Sequence, residues 1–245
     1  MIKRLLYKLL ISGLFIQSSC NDVCDCFHGR GREITEERHM ETIKGIYLTN
    51  NISVVIHPDS NQRMTVTAGE NLVDGIETSI ENGRLSIRNN NRCNWTREFN
   101  PTLQVDIWTN TLQSIYIEDA SGDLRFTDTL KVSNFRLDCF SSMGTYRVIL
   151  LADIATLAIH NGPADIIAEG SVSTQYNYSA GFGKMNCLLL KSNNIYMNNK
   201  GTNDNYVYSN TILEAKIEAT GNIYYSGNPV NVTTQITGKG KLIKL

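Results

Sequence analysis

The fold class this sequence predicts is an all-β solenoid, a parallel stack of coils of about 20 residues. Three observations predict it. From about residue 112 onward, short alternating segments recur: Ile115-Tyr116-Ile117, Phe135-Arg136-Leu137, Leu157-Ala158-Ile159, Tyr176-Asn177-Tyr178, Ile195-Tyr196-Met197, Ala215-Lys216-Ile217 and Thr234-Gln235-Ile236. Their last residues stand at 117, 137, 159, 178, 197, 217 and 236, so the successive gaps are 20, 22, 19, 19, 20 and 19. A fixed period in this range marks a stack in which each repeat buries its apolar face only against its neighbours. The third observation is the turn chemistry. Each segment is followed by a glycine (Gly122, Gly144, Gly162, Gly183, Gly201, Gly221, Gly240), and most of these precede a second short strand such as Leu124-Arg125-Phe126 or Ile223-Tyr224-Tyr225. Glycine at a recurrent corner fits a bend with positive φ, or stacked turns whose backbones approach closely.

The elements follow in order. Lys3, Arg4 and Lys8 form a basic start, and Leu9–Ile16 an apolar run too short to span a membrane. With Gln17-Ser18-Ser19-Cys20 this reads as a lipoprotein signal over residues 1–19, with Cys20 the lipidated residue. Residues 20–40 are polar and charged without a strand or helix period, as expected of a flexible tether. The domain is placed at 41–245, with irregular strands over 41–110 and regular coils over 111–245. Ile46-Tyr47-Leu48, Ile52–Ile56, Met64-Thr65-Val66, Ile76–Ile80 and Leu85-Ser86-Ile87 supply the irregular strands, and Asn82-Gly83 between the last two is a hairpin cue. A polar loop over 89–101 precedes Leu103–Ile107.

The order of these motifs is similar to that of a known family. Ile46–Leu48 with Ile52–Ile56, Ala68-Gly69-Glu70-Asn71-Leu72, Gly83-Arg84-Leu85-Ser86-Ile87, Ala120-Ser121-Gly122-Asp123-Leu124, Ala219-Thr220-Gly221-Asn222-Ile223 and Gly238-Lys239-Gly240 occur in its expected sequence. On these residues the region 41–245 resembles the family of putative auto-transporter adhesins, the head GIN domain or DUF2807, abundant in Bacteroidota lipoproteins. The resemblance implies a right-handed single-stranded parallel β-helix. It implies no catalytic residues, and no cofactor is expected.

Composition narrows the function. Lys+Arg 23 against Asp+Glu 24 gives a net charge of -1, without the basic excess of a nucleic-acid binder. His28, His39, His57 and His160 share no ligand or nucleophile spacing and read as surface residues. Cys24-Asp25-Cys26 makes a poor zinc pattern, so no metal is expected. Cys139 and Cys187 fall two coils apart, too far to bridge, and are expected to be buried. One outward slot per coil gives Tyr116, Arg136, Ala158, Asn177, Tyr196, Lys216 and Gln235. No carboxylate appears among them, which argues against a glycoside hydrolase on that face. Asp119, Asp123, Asp153 and Asp165 are assigned to turns, where Asp bonds local backbone.

Seven of the 11 tyrosines lie between Tyr176 and Tyr225. Tyr176 and Tyr178 are expected inside the coil. Tyr116, Tyr196 and one or both of Tyr224 and Tyr225 are candidate ligand contacts, suited to sugars or peptide surfaces. Asp128-Thr129-Leu130 makes Thr129 a candidate O-glycosylation site. The expectation is an outer-membrane lipoprotein held to the membrane through Cys20, binding a glycan or protein surface without catalysis. A carbohydrate-active enzyme, or a structural or signalling partner of another envelope protein, is the alternative.

Overall fold

The computed structural model describes residues 29–91 and 102–245. The signal, the lipidation residue Cys20, Cys24, Cys26, His28 and Cys93 lie outside the described residues. The first strand, β1 (Glu33–Arg38), falls where the sequence suggests a tether. It pairs antiparallel with β4 (Arg63–Gly69), Glu33 opposite Gly69 and Arg38 opposite Met64. The folded body therefore begins before residue 40. Ile34 is the one apolar residue of β1, and it packs against the core. A single apolar residue among charged ones shows no alternation to read.

β2 (Gly45–Asn50) and β3 (Ser53–His57) follow β1. After β4 a 3₁₀ turn at Val73–Gly75 leads into β5 (Ile76–Glu81), which forms a hairpin with β6 (Arg84–Asn89). Asn82 (φ 51°) and Gly83 (φ 74°) both take the left-handed conformation that a two-residue hairpin turn of this twist demands. β7 (Leu103–Trp108), β8 (Ser114–Ala120) and β9 (Leu124–Phe126) lead into four long strands. These are β10 (Leu130–Phe140), β11 (Thr145–Ile159), β12 (Asp165–Ser179) and β13 (Met185–Asn199). Each bends round a corner, so a coil has a third short side that the two-strand repeat does not reveal. β14 (Asn205–Tyr208), β15 (Ile212–Ile217), β16 (Ile223–Ser226), β17 (Asn231–Ile236) and β18 (Leu242–Lys244) complete the stack.

Two long faces result. The first stacks β5, β6, β2, β8, the later halves of β10 to β13, β15 and β17. The second stacks β1, β4, β7, β3, β9, the earlier halves of β11 to β13, β14, β16 and β18. Apart from β1, β4 and β5, which close the N-terminal end, all strands pair in parallel, as a solenoid requires. Neighbouring coils are about 4.8 Å apart.

Register fixes the core as columns of inward side chains. One column on the first face runs Leu85, Ile46, Ile115, Leu137, Leu157, Asn177, Met197, Ala215, Thr234. Asn177 thus points inward, and Tyr176 and Tyr178 point outward, the reverse of the sequence expectation. Gln175 and Ser179 are buried beside Asn177, so this coil carries three polar residues where the preceding one carries Ala155, Leu157 and Ile159; the following one carries Ile195, Met197 and Asn199. The alternation Gln-Tyr-Asn-Tyr-Ser gave the aromatic residues the look of the core. The polar layer interrupts the apolar core on the first face only. The large apolar cluster continues along the other sides into β13 as far as Leu190, and a small one is made of Ile195, Met197, Val207, Leu213, Ala215, Ile217 and Ile223.

The corners show why glycine recurs. A Cβ on Gly144 would collide with the Gly122 carbonyl, one on Gly183 with the Ala164 carbonyl, and one on Gly240 with the Gly221 carbonyl. Close approach between coils is therefore the main cause, and Gly162 (φ 85°) adds a true left-handed bend. The turn carboxylates and amides join coils as well. Asp123 Oδ1 accepts from Thr145 N at 2.7 Å, Asp165 Oδ1 from Lys184 N at 2.8 Å and Asn222 Oδ1 from Lys241 N at 2.9 Å. These partners lie one coil ahead, not in the residue's own turn. Cys139 and Cys187 are free and buried, and burial pushes the Cys187 thiol up to about 12.

Candidate functional site

The outward surface of the first face is built from rows of side chains in register. One row is Arg136, Thr156, Tyr176, Tyr196, Glu214 and Thr233. The next, two residues along each strand, is Asp138, Ala158, Tyr178, Asn198, Lys216 and Gln235. A groove of about 460 Å³ runs along the stack axis between them. It crosses five coil steps, roughly 24 Å. The small side chains of Thr156 and Ala158 open it at one end.

This face does carry carboxylates. Glu118, Asp138, Glu214 and Glu218 all project from it, because each strand presents two or three outward positions and the sequence reading sampled one. Asp138 is held on both oxygens. Arg136 Nη2 donates to Oδ1 at 2.8 Å, Arg136 Nε donates to Oδ2, and His160 Nε2 lies 2.8 Å from Oδ1.

Aromatic rings climb the same face as two stacks. Tyr47, Tyr116, Phe140, His160 and Tyr178 follow one another at centroid distances of 5.5, 4.7, 4.0 and 5.4 Å. Tyr176 and Tyr196 form the second stack, 5.1 Å apart and 14° from parallel. Stacking between neighbouring strands covers most ring faces, and Tyr116 lies between Tyr47 and Phe140. The uncovered faces belong to the end rings, among them Tyr178 in the first stack and both Tyr176 and Tyr196 in the second. Tyr178 is followed in its row by Asn198 and Tyr196 by Glu214, so both stacks end in the groove. Glu118 accepts a hydrogen bond from Tyr47 Oη at 2.6 Å, and that bond together with burial pushes the phenol up to about 12.

A second aromatic cluster, missed in the sequence, sits on the outside of the second face. His57 Nε2 lies 2.8 Å from Asp106 Oδ1, and its ring stacks on Trp108 at 4.3 Å. Arg63 packs its guanidinium 3.7 Å from the Trp108 ring. Here and at Asp138 a histidine pairs with an aspartate from the neighbouring strand of the sheet. No sequence spacing announces such a pair, because the partners are 49 and 22 residues apart.

The other expected site residues scatter. Tyr224 stacks on Tyr206 at 5.0 Å, outside the second face. Tyr225 turns inward and packs against the smaller apolar cluster, so it is not a surface contact. Thr129 lies half-buried at the corner after β9, its own N–H bonded to Asp128 Oδ1 at 2.6 Å. Among the described residues no group of three or more His, Cys, Asp or Glu side chains could hold a metal ion. Nor, among them, is any helix long and apolar enough to cross a membrane.

A family model described as "Putative auto-transporter adhesin, head GIN domain" matches residues 43–229. The chain belongs to this family. Among curated proteins none matches the chain. Solved structures share its solenoid. A putative adhesin from Bacteroides fragilis NCTC 9343 is 20% identical with a TM-score of 0.75, over 87% of this chain and 97% of that one. A putative lipid binding protein from Parabacteroides distasonis ATCC 8503 is 19% identical with a TM-score of 0.69, over 89% of this chain and 98% of that one. A putative adhesin from the same organism is 19% identical with a TM-score of 0.66, with the same coverage.

In this head GIN domain the charge cluster on the groove has a consequence for acid stability. Burial alone would raise the Asp138 pKa, but the bonds from Arg136 and His160 outweigh it and hold the carboxyl below its usual range. A group whose folded pKa is depressed adds stability above the unfolded value, about 4 for Asp, and loses it as pH falls through the folded value. Urea melts from pH 7 down to about pH 3 are expected to show a shallower loss of stability for Asp138→Asn than for the parent. An unchanged pH dependence would remove the cluster from the acid response.

Proposed function

We propose that this chain is an exported, envelope-associated binding scaffold of the adhesin type, lipidated at Cys20, whose axial groove takes an extended ligand such as a glycan chain. Family membership supports the adhesin class. The observation that carries the groove is the ending of both aromatic stacks within it. A sugar ring needs an exposed aromatic face and nearby hydrogen-bonding groups. Tyr178 and Tyr196 offer the faces, and Asn198, Lys216 and Gln235 the polar groups.

The carboxylates on this face give a hydrolase or lyase a specific foothold. Asp138, however, is tied to Arg136 and held ionised, which unfits it to donate a proton to a leaving group. Binding is therefore the reading the geometry supports best.

Retention on a glycan panel tests it. Ala158→Trp fills the groove from its small-residue end and Tyr196→Ala removes one stacking face. Each is expected to weaken binding about tenfold or more, the loss of one good aromatic contact being on the order of 1.4 kcal/mol. Binding that both variants leave intact would move the site elsewhere. Turnover of a polysaccharide, abolished by Glu214→Gln, would instead favour the enzyme.

A further inference from the structure

One row of the groove leaves a ring face bare between two fixed groups. Along the stack it runs Arg136, Thr156, Tyr176, Tyr196 and Glu214. Tyr176 and Tyr196 stack face to face, 5.1 Å apart and 14° from parallel. The position before Tyr176 belongs to Thr156, whose side chain is too short to cover a ring. Tyr176 is accordingly 46% exposed. Beyond Thr156 stands Arg136, two coil steps from Tyr176, roughly 9.6 Å. The far end of the pair differs, because Glu214 fills the step after Tyr196 with a longer side chain.

The slot over Thr156 has a chemistry of its own. Arg136 donates two of its five N–H groups to the two oxygens of Asp138, and its side chain is 57% exposed. The paired bonds fix the guanidinium and balance its charge. Donors therefore remain for a ligand, while the net field of the pair favours neither sign. An anion would meet the ionised Asp138 and a cation would meet Arg136. A hydroxyl group both donates and accepts, as Thr156 Oγ1 does, and suits this edge without a charge. A pyranose combines such hydroxyls at its rim with a C–H face for the tyrosine.

We infer that this slot takes the terminal pyranose of an uncharged glycan, inserted edge first with its face on Tyr176. The inference rests on the groove-binding reading and names the part of the ligand that is recognised. Tyr176 faces along the stack axis, so a ring stacked on it lies across the groove. Tyr176 and Arg136 bar the chain from continuing within the row, and Thr156 closes the inner edge. Tyr178 and His160, whose rings meet at 5.4 Å, flank Ala158 on one side. The outer edge stays free, which suits a chain end with its single linkage.

The full chain, purified in detergent, is tested on immobilised glycans ending in a neutral hexose or in a uronic acid, each terminal sugar differing from the next. The neutral-ended glycan is expected to be retained and to be displaced by the methyl glycoside of its terminal sugar. Enzymatic removal of that sugar should cut retention tenfold or more. Thr156→Trp, which fills the slot, and Tyr176→Ala should each cost about tenfold, with thermal melts showing both variants folded. Asp138→Asn leaves Arg136 unbalanced and should shift preference severalfold toward the uronic-acid end. Retention that Tyr196→Ala weakens, but that trimming and Thr156→Trp leave intact, would overturn the slot and keep the groove. Tighter retention of the uronic-acid end by the parent would overturn the uncharged class. Retention of no glycan would overturn the groove reading and the slot together.

Discussion

Replacing Gly183 with alanine is expected to destabilise the solenoid by on the order of 3 kcal/mol, lowering the melting temperature by roughly 6–12 °C for a chain of this size. The cause is not backbone freedom, since Gly183 does not have a positive φ. A Cβ there would be driven into the carbonyl of Ala164, one coil below, with that residue's backbone nitrogen at 3.0 Å. The atoms it would meet are all backbone of Ala164, so no flexible side chain can swing away. Relief requires parting two coils, which stretches the ladder between β12 and β13. Gly29→Ala is the matched control, because nothing lies within 4 Å of its added methyl. Its effect should stay within about 0.5 kcal/mol. Thermal melts of the two variants against the parent decide the matter. Equal melting temperatures would mean that the corners tolerate a methyl and that their glycines have another cause.

The polar layer yields a second large and less intuitive effect. Gln175 Nε2 donates to Leu190 O and Ser192 Oγ, both at 3.1 Å, and its Oε1 accepts from Asn177 Nδ2 at 3.0 Å. Asn177 Oδ1 has no partner. Gln175→Leu should therefore cost about 2 kcal/mol, because it strips Asn177 of its remaining bond while both stay buried. Adding Asn177→Leu should recover most of that loss. The new leucine would stand in the column between Leu157 and Met197 and join the two apolar clusters. The interaction in this double-mutant cycle is expected to exceed about 1 kcal/mol. Additive losses in urea melts would show that the two amides act separately.

How much could be read in advance follows from what the sequence repeats. Coil length, parallel stacking and glycine corners were legible because period, alternation and turn residues coincide in each repeat. Inward and outward assignment failed at Tyr176–Tyr178, where amides occupy the core and tyrosines the surface, so hydrophobicity points the wrong way. β1 was hidden for a similar reason, with only Ile34 to signal a buried side. The groove was partly visible. Strand alternation alone sets Tyr196 outward, but Tyr178, Ala158 and His160 join it only through register between coils. The Asp138–His160 and His57–Asp106 pairs are invisible in one dimension, since each joins strands whose spacing is set by the length of the intervening coil.

The polar layer also bears on how the molecule would answer a pull. Tension along the stack loads successive coils in series and unzips parallel ladders, so the course with the least buried apolar area should yield first. Short of the exposed last coil, the first face is least apolar at β12, where Gln175, Asn177 and Ser179 fill the inward positions. A molecule held at one end and loaded at the other would part there on its first face, while Met185, Cys187 and Leu190 of β13 still hold to the larger cluster on the other sides. The seam acts as a mechanical fuse, which limits the tension the remaining coils must bear.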